Sequence, residues 1–241
     1  MDVEIGMKTL HTTRRNRTTR QVAGAVLALV PVAAATAADG AFYVSASAVR
    51  TVTTLSTTDV ADAAVATVAS ISGTTLALSS SSSSLDNPLG WSAAVGYRIG
   101  PIGIEASYLD LGHETYQLAG TETSASGPSS LTSTIQVGSK GPALALVGYV
   151  PLLDSLQADI RVGAFDGRTS TVYSNQIDSI PHNGSVSGTT TSALAGIGLD
   201  YAVTGHLSVN VNFLHLNRLR EKFLDVTFNV NLATAGLTYV F

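Results

Sequence analysis

From about residue 41 onward, apolar and polar side chains alternate with a period of two in one segment after another. That period belongs to an extended chain, whose successive side chains point to opposite faces. The last segment is the clearest. Ala233, Ala235, Leu237, Tyr239 and Phe241 fall on one face, and Thr234, Gly236 and Thr238 on the other. Before it, Leu207, Val209, Val211 and Phe213 oppose Ser208, Asn210 and Asn212, and Ala195, Ile197, Leu199 and Tyr201 oppose Gly196, Gly198 and Asp200. Leu156, Ala158, Ile160 and Val162 stand against Gln157, Asp159, Arg161 and Gly163; Ala143, Ala145, Val147 and Tyr149 stand against Leu144, Leu146 and Gly148. Ile102, Ile104, Ala106 and Tyr108 oppose Gly103, Glu105 and Ser107, and Trp91, Ala93, Val95 and Tyr97 oppose Ser92, Ala94, Gly96 and Arg98. The first segment, near 41–50, sets Phe42, Val44, Ala46 and Ala48 on one side. The pattern predicts eight strands of about the 9–11 residues that a tilted membrane-spanning strand needs.

The connections alternate as well. Strands two and three meet at Gly100-Pro101, four and five around Pro151 to Ser155, six and seven at Thr204-Gly205. The other four connections, near 51–88, 113–139, 170–188 and 217–228, are longer and rich in Ser, Thr, Gly and Asn, and read as loops. Short turns on one side and long loops on the other are how a transmembrane barrel is threaded. The predicted fold is therefore all-β, an eight-stranded antiparallel up-and-down transmembrane β-barrel. The first long connection leaves an alternative open. Ala64–Ile71 and Thr74–Leu78 form either an external hairpin or two further spanning strands, which would make ten; 59–69 also suits a short helix. Ser79–Ser84 reads as a flexible serine run. Phe42, Trp91, Tyr97, Tyr108, Tyr149, Tyr201, Tyr239 and Phe241 lie near strand ends, where an aromatic girdle belongs.

Composition sharpens the picture. Only 12% of residues are charged, well below a soluble domain's share, and mean hydropathy is +0.28. Yet beyond the N-terminal segment the chain lacks a continuous apolar run long enough for a membrane helix. Residues 7–20 carry the basic residues Lys8, Arg14, Arg15, Arg17 and Arg20, residues 22–35 are apolar, and Ala35-Thr36-Ala37 supplies small residues at a cleavage site. Residues 1–37 are thus expected to be a cleaved secretory signal of the general kind, and 38–241 the barrel. The chain has 13 basic and 17 acidic residues; the leader takes five and two, leaving the rest at −7. That balance speaks against nucleic acid as a partner. Cysteine is absent, which excludes disulfides and thiol chemistry.

Three places resemble a known family. Ala41-Phe42-Tyr43-Val44 resembles the opening strand of the OmpA-like small outer-membrane barrels. Gly96-Tyr97-Arg98 and Ile104-Glu105-Ala106-Ser107-Tyr108-Leu109-Asp110-Leu111-Gly112 resemble their second hairpin. Leu237-Thr238-Tyr239-Val240-Phe241 resembles the terminal segment read by the barrel-assembly machinery. The resemblance implies residence in the outer membrane of a Gram-negative bacterium, with Leu237, Tyr239 and Phe241 as the assembly signal. It does not fix an activity. The chain stops at the last strand, so the cell-wall-binding domain that follows the barrel in OmpA is not expected.

The candidate chemistry is sparse. Arg98, Glu105, Asp159, Arg161 and Asp200 all fall on inward positions, and an eight-stranded barrel is just wide enough for side chains to fill. Buried charges pair because leaving one unpaired is costly. A lumen salt-bridge network is expected, with Arg98 and Glu105 as its first pair and a largely plugged interior. Arg218, Arg220 and Lys222 at an outer strand end suit phosphates of lipopolysaccharide. As a hydrolase centre His215 lacks a nucleophile: Asn217 stands where a serine would be wanted, and Glu221 lies beyond. His113, Glu114 and His182 lack metal-ligand spacing and read as solvated loop residues. Neither a cofactor motif nor a metal constellation is present. The reading is a non-enzymatic outer-membrane protein with a structural or surface-interaction role, its partners being outer-membrane lipid, lipopolysaccharide and the assembly machinery. The alternatives are a narrow channel for small or apolar solutes and, less well supported, an enzyme acting on lipid A.

Overall fold

The computed structural model describes residues 40–54, 56–69, 75–84, 88–178, 180–221 and 226–241. The expected leader, residues 1–37, and Lys222 lie outside these. The elements are β1 (Gly40–Thr53), α1 (Thr57–Ala69), β2 (Thr75–Ser84), β3 (Leu89–Ile99), β4 (Ile102–Ser124), β5 (Gly127–Leu153), β6 (Leu156–Ile177), β7 (Ile180–Ala202), β8 (Leu207–Glu221) and β9 (Val226–Val240). β1 and β3 to β9 close into an antiparallel ring of eight, each strand beside its neighbour in sequence and β9 beside β1. The closing register sets Val44 opposite Tyr239 and Thr53 opposite Val230. A closed ring leaves no unpaired strand edge, the condition for strands to cross hydrocarbon.

The ring has eight strands, not ten. β2 is a ninth strand of the sheet, placed outside the ring. It pairs with β4 from Thr75↔Thr123 to Ser84↔Thr115, while β3 pairs with the same side of β4 from Trp91↔Asp110 to Ile99↔Ile102. β2 and β3 therefore lie end to end along one edge of β4. The serine run is thus strand rather than flexible loop, held by its pairing and by Ser79 Oγ donating to the Ala119 carbonyl at 3.1 Å.

The three tight turns fall where expected, at Gly100-Pro101, Asp154-Ser155 and Val203 to His206, all at one end of the ring. Gly100 takes a positive φ of 55° there, which glycine adopts without strain. The opposite end differs from expectation. Segments 113–139 and 170–188 are not loops: β4 and β5 pair continuously up to Ser124↔Gly127, and β6 and β7 up to Ile177↔Ile180. The reason lies in which face is polar. Within the spanning part, outward residues such as Leu144, Leu146 and Val162 are apolar. Above it, the outward residues are Gln117, Thr132, Thr134 and Gln136, and the inward ones are Tyr116, Leu118, Ile135 and Val137. The alternation persists but its sense inverts, so a strand in water reads locally as a Ser/Thr-rich loop. A bulge between Asp110 and His113, with Gly112 at φ 75°, marks the change on β4.

α1 packs within this outer part. Its Val60 and Ala61 bury against Tyr116, Leu118, Ile135 and Val137, with Leu78 and Phe228 beside them. The helix begins with a capping box: Ser56 N–H donates to Asp59 Oδ2 at 2.9 Å and Asp59 N–H to Ser56 Oγ at 3.1 Å. The Ser56 hydroxyl, donating to Asp59 Oδ2 at 2.7 Å, and the Ser56 N–H beside it hold the Asp59 carboxyl below the usual carboxylate range.

The inversion makes a test of topology. Val211 is 56% exposed and faces lipid, so Val211→Arg should cost about 2–4 kcal/mol and abolish the heat-modifiable folded band on gels. Thr132→Arg points outward from the same kind of strand above the apolar band and should fold as the parent does. Equal behaviour of the two would refute the assigned band.

Candidate functional site

The lumen holds the densest polar chemistry among the described residues, and the period-two pattern puts it there. Tyr43 and Ser47 come from β1, Glu105 from β4, Tyr149 from β5, Asp159 and Arg161 from β6, Asp200 from β7, Asn210 and Asn212 from β8, and Thr234 and Thr238 from β9. Arg161 is the hub. Its Nε donates to Asp159 Oδ1 at 2.7 Å and its Nη1 to Glu105 Oε1 at 3.2 Å. Tyr43 OH donates to Glu105 Oε2 at 2.9 Å, and Tyr149 OH donates to Tyr43 OH at 3.1 Å. On the far side Asn212 Nδ2 donates to Asn210 Oδ1 and Thr234 Oγ1, both at 3.2 Å, and Asn210 Nδ2 donates to Thr238 Oγ1 at 2.9 Å. Asp159 is only 1% exposed, and Asp200 is buried near it.

Glycines make the room. A Cβ at Gly96 would overlap the Tyr43 ring, and one at Gly198 would overlap the Asp159 carboxylate and the Asn212 amide oxygen. Large polar side chains on one strand thus lie over bare backbone on the next.

Four of the five expected network residues, Glu105, Asp159, Arg161 and Asp200, meet here. The expected Arg98–Glu105 pair does not form. Arg98 sits nearer the tight-turn end, where its Nη1 donates to Gln157 Oε1 at 2.7 Å, its Nε to the Gly100 carbonyl at 2.8 Å, and its guanidinium lies 4.2 Å from the Tyr149 ring centre. Direct cross-strand partners of β3 and β4 have their own register, and Arg98 faces Gly103 rather than Glu105. Tyr149 corrects a second expectation: it points into the lumen rather than to the girdle. On β5 both faces are apolar, so the sequence alone does not tell which set is inside. Tyr43, Asn210 and Asn212 join the network without carrying a charge, and each shares its strand face with small or polar residues.

Beyond the network toward the outer end, the lumen turns apolar. Val49, Leu109, Phe165, Leu214, Leu216 and Leu232 form one buried cluster, and the cluster under α1 follows. Two voids in the lumen, one beside Glu105, Arg161 and Leu214 and one beside Leu111, Val137 and Phe228, measure about 30 and 40 Å³, against about 320 Å³ for the hollow at the tight-turn end beside Tyr43, Arg98 and Arg161. Among the described residues no cluster of His, Asp or Glu is arranged to hold a metal ion.

The remaining expected residues lie elsewhere. Arg218 and Arg220 are exposed at the outer end of β8, where Arg218 N–H donates to Asn229 Oδ1 at 3.0 Å and the backbone bulges. His215 faces outward with Nδ1 2.8 Å from Asn231 Oδ1, and its other cross-strand neighbour is Ala195. Leu237, Tyr239 and Phe241 face outward along β9, the two rings in edge contact at 5.1 Å. Tyr97 packs on Phe42 near the tight-turn end, and Trp91 on Tyr108 toward the outer end, which gives the outer wall two aromatic levels.

Removing the hub tests the network. Arg161→Met should destabilise the barrel by about 3–5 kcal/mol, because it strands buried carboxylates, and adding Glu105→Gln should recover part of that loss. Urea unfolding of the refolded protein in detergent micelles reads both; no loss in the single variant would contradict the network.

A model of the outer membrane protein beta-barrel domain matches residues 22–241. Among solved structures, the chain is similar to Neisserial surface protein A, with 14% identity over 83% of this chain and 97% of that one and a TM-score of 0.38. It is similar to Ail, the attachment invasion locus protein of Yersinia pestis, solved with the heparin analogue sucrose octasulfate, at 13% identity over 84% and 97% with a TM-score of 0.43. It is similar too to OprG from Pseudomonas aeruginosa, at 13% identity over 84% and 96% with a TM-score of 0.44. No curated protein sequence matches the chain.

Proposed function

The chain belongs to the outer membrane protein beta-barrel domain family, and on that premise we propose that its barrel is a non-conducting anchor that displays an extracellular sheet for surface interaction. The observation that carries this reading is the filling of the lumen. The polar network, the Phe165 cluster and the α1 cluster follow one another along the axis, and two voids among them measure about 30 and 40 Å³, room for a few waters. The hollow beside Arg98 is a blind vestibule on this reading. The displayed part is the sheet of β2 and the outer halves of β4 to β7, whose outward face is Thr, Ser and Gln.

The same observations weigh against the alternatives. An apolar conduit needs an open apolar column, and Phe165, Leu216 and Leu232 close it. A lipid-A hydrolase needs a hydroxyl beside its base, and His215 has Asn231 and Ala195 as its row neighbours. We further assign to Leu237, Tyr239 and Phe241 the role of assembly signal.

Planar-bilayer recording of refolded residues 38–241 tests the main proposal. Insertion without discrete openings is the expected result, and stable unitary currents would overturn it. For the assembly signal, Phe241→Ala should lower the folded outer-membrane fraction in cells several-fold while leaving detergent refolding of the purified chain unchanged. An unaltered cellular yield would count against that assignment.

A further inference from the structure

The outward face of β4, β5 and β6 can be followed row by row. Ile104, Leu146 and Val162 are cross-strand partners, and so are Ala106, Leu144 and Ala164 in the row above. Leu144 and Leu146 are more than half exposed, which marks a face made for lipid. Tyr108 then pairs with Pro142, at the level of the Trp91–Tyr108 stack. The next row is Asp110, Lys140 and Arg168. With about 3.4 Å per residue and a tilt near 40°, β5 climbs about 26 Å from Val150 to Lys140, the height of the apolar band of such barrels. Lys140 and Arg168 are the first cations met on this face above the hydrocarbon, adjacent to each other and just past the aromatic belt.

They border a hollow. Gly138, outward in the row above, lacks a side chain, and Ser170 beside it is small. Together with His113 and Gln136 they enclose a depression of about 410 Å³ on the outer wall. Among the described residues, neither Lys140 nor Arg168 makes an ion pair within 4.0 Å; Arg168 Nη2 donates only to Ser187 Oγ at 3.0 Å. The carboxylates on the same face belong to Asp110, whose Oδ1 accepts from the Gly112 N–H at 2.9 Å, and Asp166, whose Oδ1 accepts from the Thr191 hydroxyl at 3.1 Å.

We propose that this depression binds a phosphate-bearing sugar head group of the outer-leaflet glycolipid, with Lys140 and Arg168 on the phosphate. The charge is complementary, the height is that of the head-group layer, and the hollow is of sugar-phosphate size. An arginine–lysine pair holds a phosphate by charge-assisted hydrogen bonds. Asp110, at the end of the row, is placed to accept from sugar hydroxyl or amide groups. The site lies on the β4–β6 wall, apart from Arg218 and Arg220 on β8. The inference rests on the chain spanning the outer membrane and is independent of whether the lumen conducts.

The test is binding of bisphosphorylated lipid A to the refolded mature chain in detergent, followed by native mass spectrometry. Lys140→Gln with Arg168→Gln should weaken binding at least about tenfold, the worth of charge-assisted contacts, while Arg218→Gln with Arg220→Gln leaves it unchanged. Dephosphorylated lipid A should bind the parent as weakly as the bisphosphorylated form binds the Lys140/Arg168 variant. Inorganic phosphate should not compete at millimolar concentration. Heat-modifiable migration checks that each variant is folded; all these side chains are exposed, so each should pass. Undiminished binding by the Lys140/Arg168 variant overturns the proposal. So does an equal loss in the Arg218/Arg220 variant, which would mean non-specific charge attraction. Displacement by free phosphate would assign the site to phosphate rather than to the glycolipid.

Discussion

Hydrocarbon offers a backbone amide no partner, and everything else in this structure follows from meeting that demand inside the chain. The ring of eight strands does so by pairing β9 with β1, the two ends of the barrel in sequence. Once the ring is closed its two faces are fixed by pleat alone. One face must suit lipid and the other a space with room only for side chains. The polar residues of the lumen are not spread evenly. They gather where glycines on neighbouring strands leave bare backbone beneath Tyr43 and Asp159.

The same pleat serves two solvents. Up to the Tyr108–Pro142 level its outward set is aliphatic, and its inward set is polar or small around the charge network and apolar above it. Beyond the bulge at Gly112 the outward set is Thr, Ser and Gln, and the inward set is Tyr116, Ile135 and Val137. The strand does not change; the medium outside it does. This accounts for how β4 to β7 continue far past the membrane and why a helix, α1, is needed inside. An apolar inner face that rises above the bilayer has to be covered, and Val60 and Ala61 cover part of it.

The spanning strands and their tight turns were legible because lipid makes the outward set strictly apolar, as in Leu207 to Phe213. The outer strands were not, because Thr115 to Thr123 and Ser129 to Gln136 carry polar residues on the face a reader expects to be apolar. Alternation was still there, with its sign reversed. Within the lumen, Arg98, Glu105, Asp159, Arg161 and Asp200 all lie on the inward face that parity gives them. Their pairing was not legible, because parity gives the face but not the height, and Glu105 meets Arg161 across an intervening strand rather than Arg98 across a turn. Tyr149 was misplaced for a different reason: on β5 Leu144 and Leu146 face Ala145 and Val147, so neither face declares itself.

Glu105 and Arg161 belong to strands that are not neighbours in the ring, since β5 lies between them. Tyr43 extends the same link to β1, on the other side of β3, and Tyr149 returns it to β5. A thin-walled tube resists stretching through its wall bonds but flattens easily, because bending each pair of strands slightly breaks none of them. Links that run as chords through the interior oppose that mode. Lateral pressure from crowded neighbours in the membrane would squeeze the section toward an ellipse, and these chords would have to lengthen or shorten before it did. In mechanical terms the buried charges are cross-bracing, and they hold the circular section on which the spacing of every outward residue depends.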